Sequence, residues 1–367
     1  MLLKYFKKTK AKKIEIIICL FIILFKSLYK KNIKFFLLNN FQFNLISKSF
    51  PFIQFFSKNS KINNKEINKL NYCKNYGLLV YDYFVDGKFP KKMLGNIGDY
   101  IQSLAALQFL PKNCIPILVD RDTINLYHGP KIKVIMNGWY KLNYGNKLNS
   151  YSIYPIYESY HIYNHWDIDL KMIQHLIKYE PIGCRDYTTL KALRIRGIKS
   201  YFSSCLTTTL DIDYGVKDII RNDDIIFADY KLGSYEKADQ FLYSLKAYNF
   251  SKIINITHYF NLSFNHIERF KIADDLLRKY AKAKLVITSR IHAALPCLAF
   301  HTPLIFINSK YNYERYTGLY ELFNTIGINK KKIFEIRVNL DKNGLVYNSD
   351  EFLFYANKLK DKLKKNL

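Results

Sequence analysis

The segment Thr288-Ser289-Arg290-Ile291-His292 follows an apolar run, Leu285-Val286-Ile287, and precedes Ala293-Ala294-Leu295. That order predicts a buried strand, a short polar turn and the start of a helix. Ligands of open α/β sheets bind at such strand ends. An arginine there is a permanent cation with a planar fork of donors for carboxylate or phosphate, and a histidine exchanges protons near neutral pH. Arg290 and His292 are two positions apart, so they do not share a helix face. They can serve one site only if Arg290 lies in extended or turn backbone and the helix begins at about His292. Thr288 and Ser289 are the capping residues that allow it. The residues alone leave a structural histidine and a proton donor both open.

Other segments offer compatible chemistry. Gly95-Asn96-Ile97-Gly98-Asp99 joins a loop to a helix, and its glycines permit close backbone approach. Asp99 reads either as the helix N-cap or as the group that holds or deprotonates a hydroxyl. Arg185-Asp186 sits at a strand-to-helix turn, with Asp186 a natural N-cap and Arg185 either paired at the surface or turned toward an anion. His258 ends the strand predicted at 253–257 and is expected at the same cleft. Asp120-Arg121-Asp122, Asp167-Ile168-Asp169 and Asp211-Ile212-Asp213 mimic a DxD metal motif. They read more simply as caps and solvated charge, and no metal site is expected.

The elements that position these residues follow from hydrophobic period and punctuation. Strands are predicted at 77–83, 115–119, 132–136, 182–184, 201–206, 225–228, 253–256, 285–287 and 304–307. Helices are predicted at 99–110, 170–178, 187–194, 235–248, 267–280, 292–300 and 349–365. This alternation indicates an α/β fold with two Rossmann-like domains facing a cleft. The boundaries are a basic, aromatic-rich extension over 1–74, an N-terminal domain over 75–210, a C-terminal domain over 211–345 and a final helix over 346–367.

Composition limits the alternatives. The net charge is +27, yet arginine supplies only ten of the 57 basic residues. Of that charge, +14 falls in residues 1–74, leaving +13 on the other 293. No zinc-finger, basic-zipper or RNA-recognition signature accompanies it, so nucleic acid is not an expected partner. The six cysteines form no CxxC pair, which fits reduced thiols in a cytoplasmic protein. The sequon at Asn255 is expected inside a buried strand, closed to glycosylation. Ile16 to Phe25 is a run of ten apolar residues between lysines, against about 20 for a membrane span. The extension is read either as a poorly ordered basic segment or as one lying on an anionic membrane surface.

The segments Gly95-Asn96-Ile97-Gly98-Asp99-Tyr100-Ile101-Gln102, Ile182-Gly183-Cys184-Arg185-Asp186 and Ile287-Thr288-Ser289-Arg290-Ile291-His292-Ala293-Ala294, with Thr302-Pro303-Leu304-Ile305 following, resemble the polysaccharide pyruvyltransferase family. The resemblance covers about residues 77–330. It departs at Met136-Asn137-Gly138-Trp139, where relatives carry a run of glycines. It implies a fold similar to GT-B glycosyltransferases. It also implies transfer of the pyruvate unit of phosphoenolpyruvate to two hydroxyls of a sugar or glycan as a ketal, releasing phosphate. No obligatory cofactor is implied, and phosphoenolpyruvate is the donor substrate. On this resemblance His292 is the general acid and Asp99 handles the acceptor hydroxyl. Arg185, Arg290, Asn96 and His258 bind substrate. The alternatives are a GT-B glycosyltransferase using a nucleotide sugar and a non-catalytic glycan-binding relative.

A fusion of residues 1–74 is expected to partition onto anionic vesicles if the extension is a membrane-surface segment. Absence of binding at low salt eliminates that reading.

Overall fold

The computed structural model describes residues 71–83, 93–111, 114–141, 150–210, 220–231, 236–309, 315–329 and 332–367. Residues 1–70, on which both readings of the N-terminal extension rest, lie outside these residues, as does the 211–213 DxD segment, whereas 71–74, expected in the extension, belong to a strand. The described residues all fall within one compact unit.

The first half of that unit runs β1 (Asn71–Val80), β2 (Leu94–Asn96), α1 (Ile97–Leu107), β3 (Cys114–Asp120), β4 (Ile132–Ile135), β5 (Trp139–Tyr140), β6 (Ile153–Ile156), β7 (His161–Ile162), α2 (Leu170–Ile177), β8 (Ile182–Cys184), α3 (Tyr187–Arg194) and β9 (Ser200–Phe202). The second half runs β10 (Ile225–Ala228), α4 (Glu236–Ser244), β11 (Ile253–Ile256), β12 (Tyr259–Asn261), α5 (His266–Lys282), β13 (Leu285–Thr288), α6 (Ile291–Ala299), β14 (Leu304–Ser309), β15 (Thr325–Asn329), β16 (Lys332–Arg337) and α7 (Phe352–Asn366). The fold is α/β with parallel sheets. One sheet has the order β3-β1-β4-β6 and is parallel throughout. The other has the order β11-β10-β13-β14-β15-β16, with only the last pair antiparallel.

Parallel sheets are covered on both faces, so their inner strands are continuously apolar. All four residues of β13 are buried, and so are all nine of α6 behind it. The second core gathers Ile225, Phe227, Leu285, Ile287, Ile305 and Ile326 from four neighbouring strands. Helix α5 starts with a capping box, Asn265 with Glu268, and carries Lys279 and Lys282 in its last turn.

Two features join the halves. Antiparallel pairing of β2 with β12 matches Asn96 with Tyr259, Gly95 with Phe260 and Leu94 with Asn261. Helix α7 returns to the first half. There the Tyr76 hydroxyl donates to Leu367 O at 2.8 Å, and Lys362 Nζ lies 3.2 Å from the buried Glu158 carboxylate.

Several sequence expectations are corrected. The strand expected from Gly77 begins at Asn71, with a bulge between Cys73 and Gly77. The strand expected over 201–206 stops at Phe202, because Ser204 adopts φ 63° and a 3-10 turn follows at Leu206–Thr209. Strand β11 is an edge strand with exposed centre, so Asn255 is not buried as expected. Of the DxD segments, Asp169 caps α2, but Asp120 and Asp122 are internal ion-pair and hydrogen-bond partners rather than solvated charge. No helix among the described residues is long and apolar enough to cross a membrane.

Leu363 of α7 is fully buried. Leu363→Ala is expected to cost about 2–5 kcal/mol through transfer and cavity terms. A denaturation midpoint unchanged from the parent chain would show that α7 does not hold the unit together.

Candidate functional site

Three strand-to-helix turns deliver the site. At the first, Asn96 is the N-cap of α1, and its Oδ1 accepts from Gly98 N at 3.1 Å. Asp99 is therefore not the cap, and Asn96 spends its side-chain oxygen on the helix rather than on a ligand. At the second, Asp186 caps α3 and accepts from Thr189 N at 2.8 Å, as expected. At the third, α6 begins at Ile291 and Arg290 is its N-cap in extended backbone, φ −101° and ψ 121°. That is the conformation the i,i+2 spacing demanded. Thr288 Oγ1 accepts from Arg290 N at 2.9 Å and so steadies the turn without capping the helix itself.

Between these turns sits a cluster of buried basic side chains. Arg185 is 1% exposed, and its Nε has no hydrogen-bond partner. Arg315 has an equally orphaned Nε. Around them lie His292, His258 and His161, each with one buried ring nitrogen lacking a partner: Nε2 of His292, Nδ1 of His258 and Nε2 of His161. Burial, then Arg185, His258, Arg315 and His161, hold His292 well below the ordinary histidine value. Burial also lowers the Arg185 guanidinium. An isolated ion moved out of water costs many kcal/mol unless it is paired. Yet no carboxylate forms an ion pair with Arg185 or Arg315 among the described residues.

The opposite wall is polar. The Asp99 carboxylate accepts from the Tyr83 hydroxyl at 2.8 Å and from Gln102 Nε2 at 3.3 Å, and lies 3.7 Å from Arg121. Burial pushes its carboxyl above the usual range, with Arg121 opposing. Arg121 is itself gripped by Asp122 at 2.8 Å and covered by the rings of Tyr81 and Trp139. Asn137 Oδ1, Gln102 Oε1 and Trp139 Nε1 are buried here without partners. Gly98 joins the two walls: a Cβ at this position would lie 2.8 Å from His292 Nδ1. Only glycine lets the start of α1 approach that ring so closely.

The structure thus brings Asp99, Arg185, His258 and His292 together. Arg290 stands apart. Its Nε donates to Asp229 at 2.7 Å, and its guanidinium stacks 4.5 Å above the Tyr259 ring. Asp229 also accepts from His258 N at 3.0 Å, so Arg290 braces His258. The His258 ring in turn bonds the Tyr280 hydroxyl at 2.7 Å. His161, Arg315 and Arg121 escaped the sequence reading. One signal could have found the arginines: in a chain with 47 lysines and ten arginines, each arginine marks a position where lysine does not serve. Tyr83, Ser159, Ser204 and Asp229 all have positive φ, between 51° and 63°. Such strain costs roughly 1–3 kcal/mol per residue and gathers at functional sites.

The fold is of the α/β class, with arginine and histidine side chains gathered at its strand-to-helix turns. A family model for polysaccharide pyruvyl transferase matches residues 96–311, more than half of the chain, and the chain belongs to that family. No curated protein matches it. Among solved structures, a functionally uncharacterised protein from Klebsiella pneumoniae subsp. pneumoniae NTUH-K2044 is similar at 14% identity, over 70% of this chain and 94% of its own, with a TM-score of 0.43.

His161 and His258 are each pulled from 6.5 to about 4, first by burial. Between those values the unfolded chain holds more protons than the folded one. Stability is therefore complete above pH 6.5 and falls as pH drops toward 4. Unfolding at pH 5 is expected to take up about two protons at these two rings and more at His292, whose folded value is also lowered, read from the pH slope of the unfolding free energy. A flat slope would show the two rings already charged in the fold.

Proposed function

We propose that this chain transfers the pyruvate unit of phosphoenolpyruvate to two hydroxyls of a sugar or glycan, forming a cyclic ketal and releasing phosphate. The observation that carries this reading is the buried Arg185 with the half-buried Arg315, each with an unpartnered Nε and, among the described residues, no ion-paired carboxylate, beside a proton-exchanging histidine. Phosphoenolpyruvate brings a carboxylate and a phosphate, and a planar guanidinium can meet either with two parallel hydrogen bonds. In this reading the two parallel sheets are the Rossmann-like halves of a GT-B-like arrangement. Arg185 comes from the first half and Arg315 from the second.

The donor's methylene carbon must gain a proton, which leaves positive charge at C2. His292 is the general acid for that step. Its ring is held neutral by burial and by two nearby arginines, which disfavour its charge. A bound trianion reverses that balance, offsetting Arg185 and Arg315 and drawing a proton onto His292. The acid is thus armed by the substrate it acts on. Asp99, with Arg121 and Tyr83 fixing its oxygens, orients an acceptor hydroxyl beside C2. Arg290 and His258 hold the edge of the donor pocket, and Asn96 fixes the helix start that carries Asp99.

His292→Ala is expected to abolish phosphate release while changing donor affinity by no more than roughly tenfold, about 1.4 kcal/mol. Arg315→Met should weaken donor binding by about ten- to a hundredfold, the worth of a charge-assisted hydrogen bond. Full turnover in the histidine variant would sink the assignment of the acid. Incubation with phosphoenolpyruvate and, separately, with nucleotide sugars tests the reaction itself. Nucleotide release would favour a glycosyltransferase, and absence of phosphate release across a broad sugar panel would favour a non-catalytic glycan binder.

A further inference from the structure

His161 has no task in the scheme above, and its surroundings are not those of a packing residue. It lies in β7 and pairs in register with Trp139 of β5. The next residue back, Tyr160, bridges to Cys184, and Arg185 N donates to Tyr160 O at 3.0 Å. This backbone pairing sets His161 between the cationic cluster at Arg185 and the polar wall at Trp139. The ring is 2% exposed. Its Nδ1 lies 2.5 Å from Asp186 Oδ2.

Asp186 is itself held firmly. Thr189 N donates to Oδ1 at 2.8 Å, and the Thr189 hydroxyl to Oδ2 at 3.2 Å. Although burial opposes ionisation, His161 and Arg185 hold the Asp186 carboxyl below its usual range. An ionised carboxylate only accepts, so the proton of the neutral ring must sit on Nδ1. Nε2 is left with a lone pair, and that atom is buried with no partner. A buried polar atom left unpaired costs about 1–3 kcal/mol. The charged and titratable groups acting on this ring are Asp186, Arg185, Arg315 and His292. Asp99 is the competing base, but its oxygens already accept from Tyr83 and Gln102.

Resting on the pyruvyl-transfer reading, we infer that His161 is the general base that takes the proton of the attacking acceptor hydroxyl, and that Asp186 is the positioning residue that fixes its tautomer. His292 gives its proton to C3 of the donor, and the C2=C3 electron pair forms the new C–H bond. The first hydroxyl oxygen bonds to C2 while its proton passes to His161 Nε2. The C2–O bond to phosphate then breaks, its electron pair leaves with the phosphate, and His161 passes its proton to that oxygen. The second hydroxyl closes the ketal, and its proton, again taken by His161, replaces the one His292 gave to C3. Donor and diol become ketal and hydrogen phosphate, and both histidines return to their starting state.

The test uses the full chain, with phosphoenolpyruvate and a panel of nitrophenyl glycosides of galactose, glucose and N-acetylmannosamine as acceptor probes. His161→Asn keeps a donor for Asp186 and removes the base. Asp186→Asn keeps the helix cap but donates to Nδ1, placing the ring proton on Nε2. Each is expected to lower kcat by about 10²–10⁴ and to lose the acid limb of the pH–rate profile, with phosphoenolpyruvate affinity by calorimetry unchanged. Nitrogen NMR of labelled histidine should show His161 with its proton on Nδ1 in the parent chain and on Nε2 in Asp186→Asn. An active parent with His161→Asn at full kcat and an unaltered profile overturns the base alone, as does an Nε2-protonated His161 in the parent. A parent that releases no phosphate with any probe overturns the pyruvyl-transfer reading and the base with it.

Discussion

A protein seldom buries an arginine without giving it a carboxylate. Here Arg185 is enclosed and Arg315 lies within its electrostatic reach; among the described residues neither forms an ion pair, although Asp186 acts on Arg185 from the next position. Everything around them follows from that imbalance. His292 and His161 feel both arginines, and burial first, then that charge, disfavours a proton on either ring. Asp186, the carboxylate that acts on Arg185, is bonded to His161, while Asp229 holds Arg290 and Asp122 holds Arg121. The fold keeps its acids one step away from the cations that would otherwise be satisfied by them.

The scaffold tolerates this because the strain is local and the cores are not. Strand β13 and helix α6 are completely buried, and the end of one and the start of the other carry Arg290 and His292. The backbone takes positive φ at Tyr83, Ser159, Ser204 and Asp229, which touch or flank the site, and also at Met93 and His301. Pro296 lies inside α6 and cannot donate to the carbonyl four residues back, which is that of His292. The helix is thus held by its packing more than by a complete ladder where it delivers the histidine.

Much of this arrangement was legible in the sequence. The βα alternation marked most strands and helices to within a few residues, because long apolar runs and Pro or Gly punctuation do not depend on tertiary context. The i,i+2 spacing of Arg290 and His292 required a turn ahead of the helix, and the backbone at Arg290 is extended. What could not be read were relationships set by distance in space. Asp229 is 61 residues from the Arg290 it captures, which draws that arginine out of the central cluster. His161 lies in a two-residue strand too short to have a period, and Arg315 in no motif at all. Asp99 looked like a cap because Asp commonly is one, but Asn96 reaches Gly98 N first and frees Asp99 to turn inward.

The ladder between β2 and β12 is made of main-chain atoms, and Ile97 N completes it by donating to His258 O at 2.8 Å. Main-chain bonds do not read side chains. Leu94 and Tyr259 are accordingly exposed on this ladder, and only the contact of Gly95 with the Phe260 ring is sterically exacting. Mutations can therefore accumulate along most of the seam without shifting the helix start against the histidine strand. A lineage could rewrite the surface around this ladder extensively and still inherit the same spacing between its two halves.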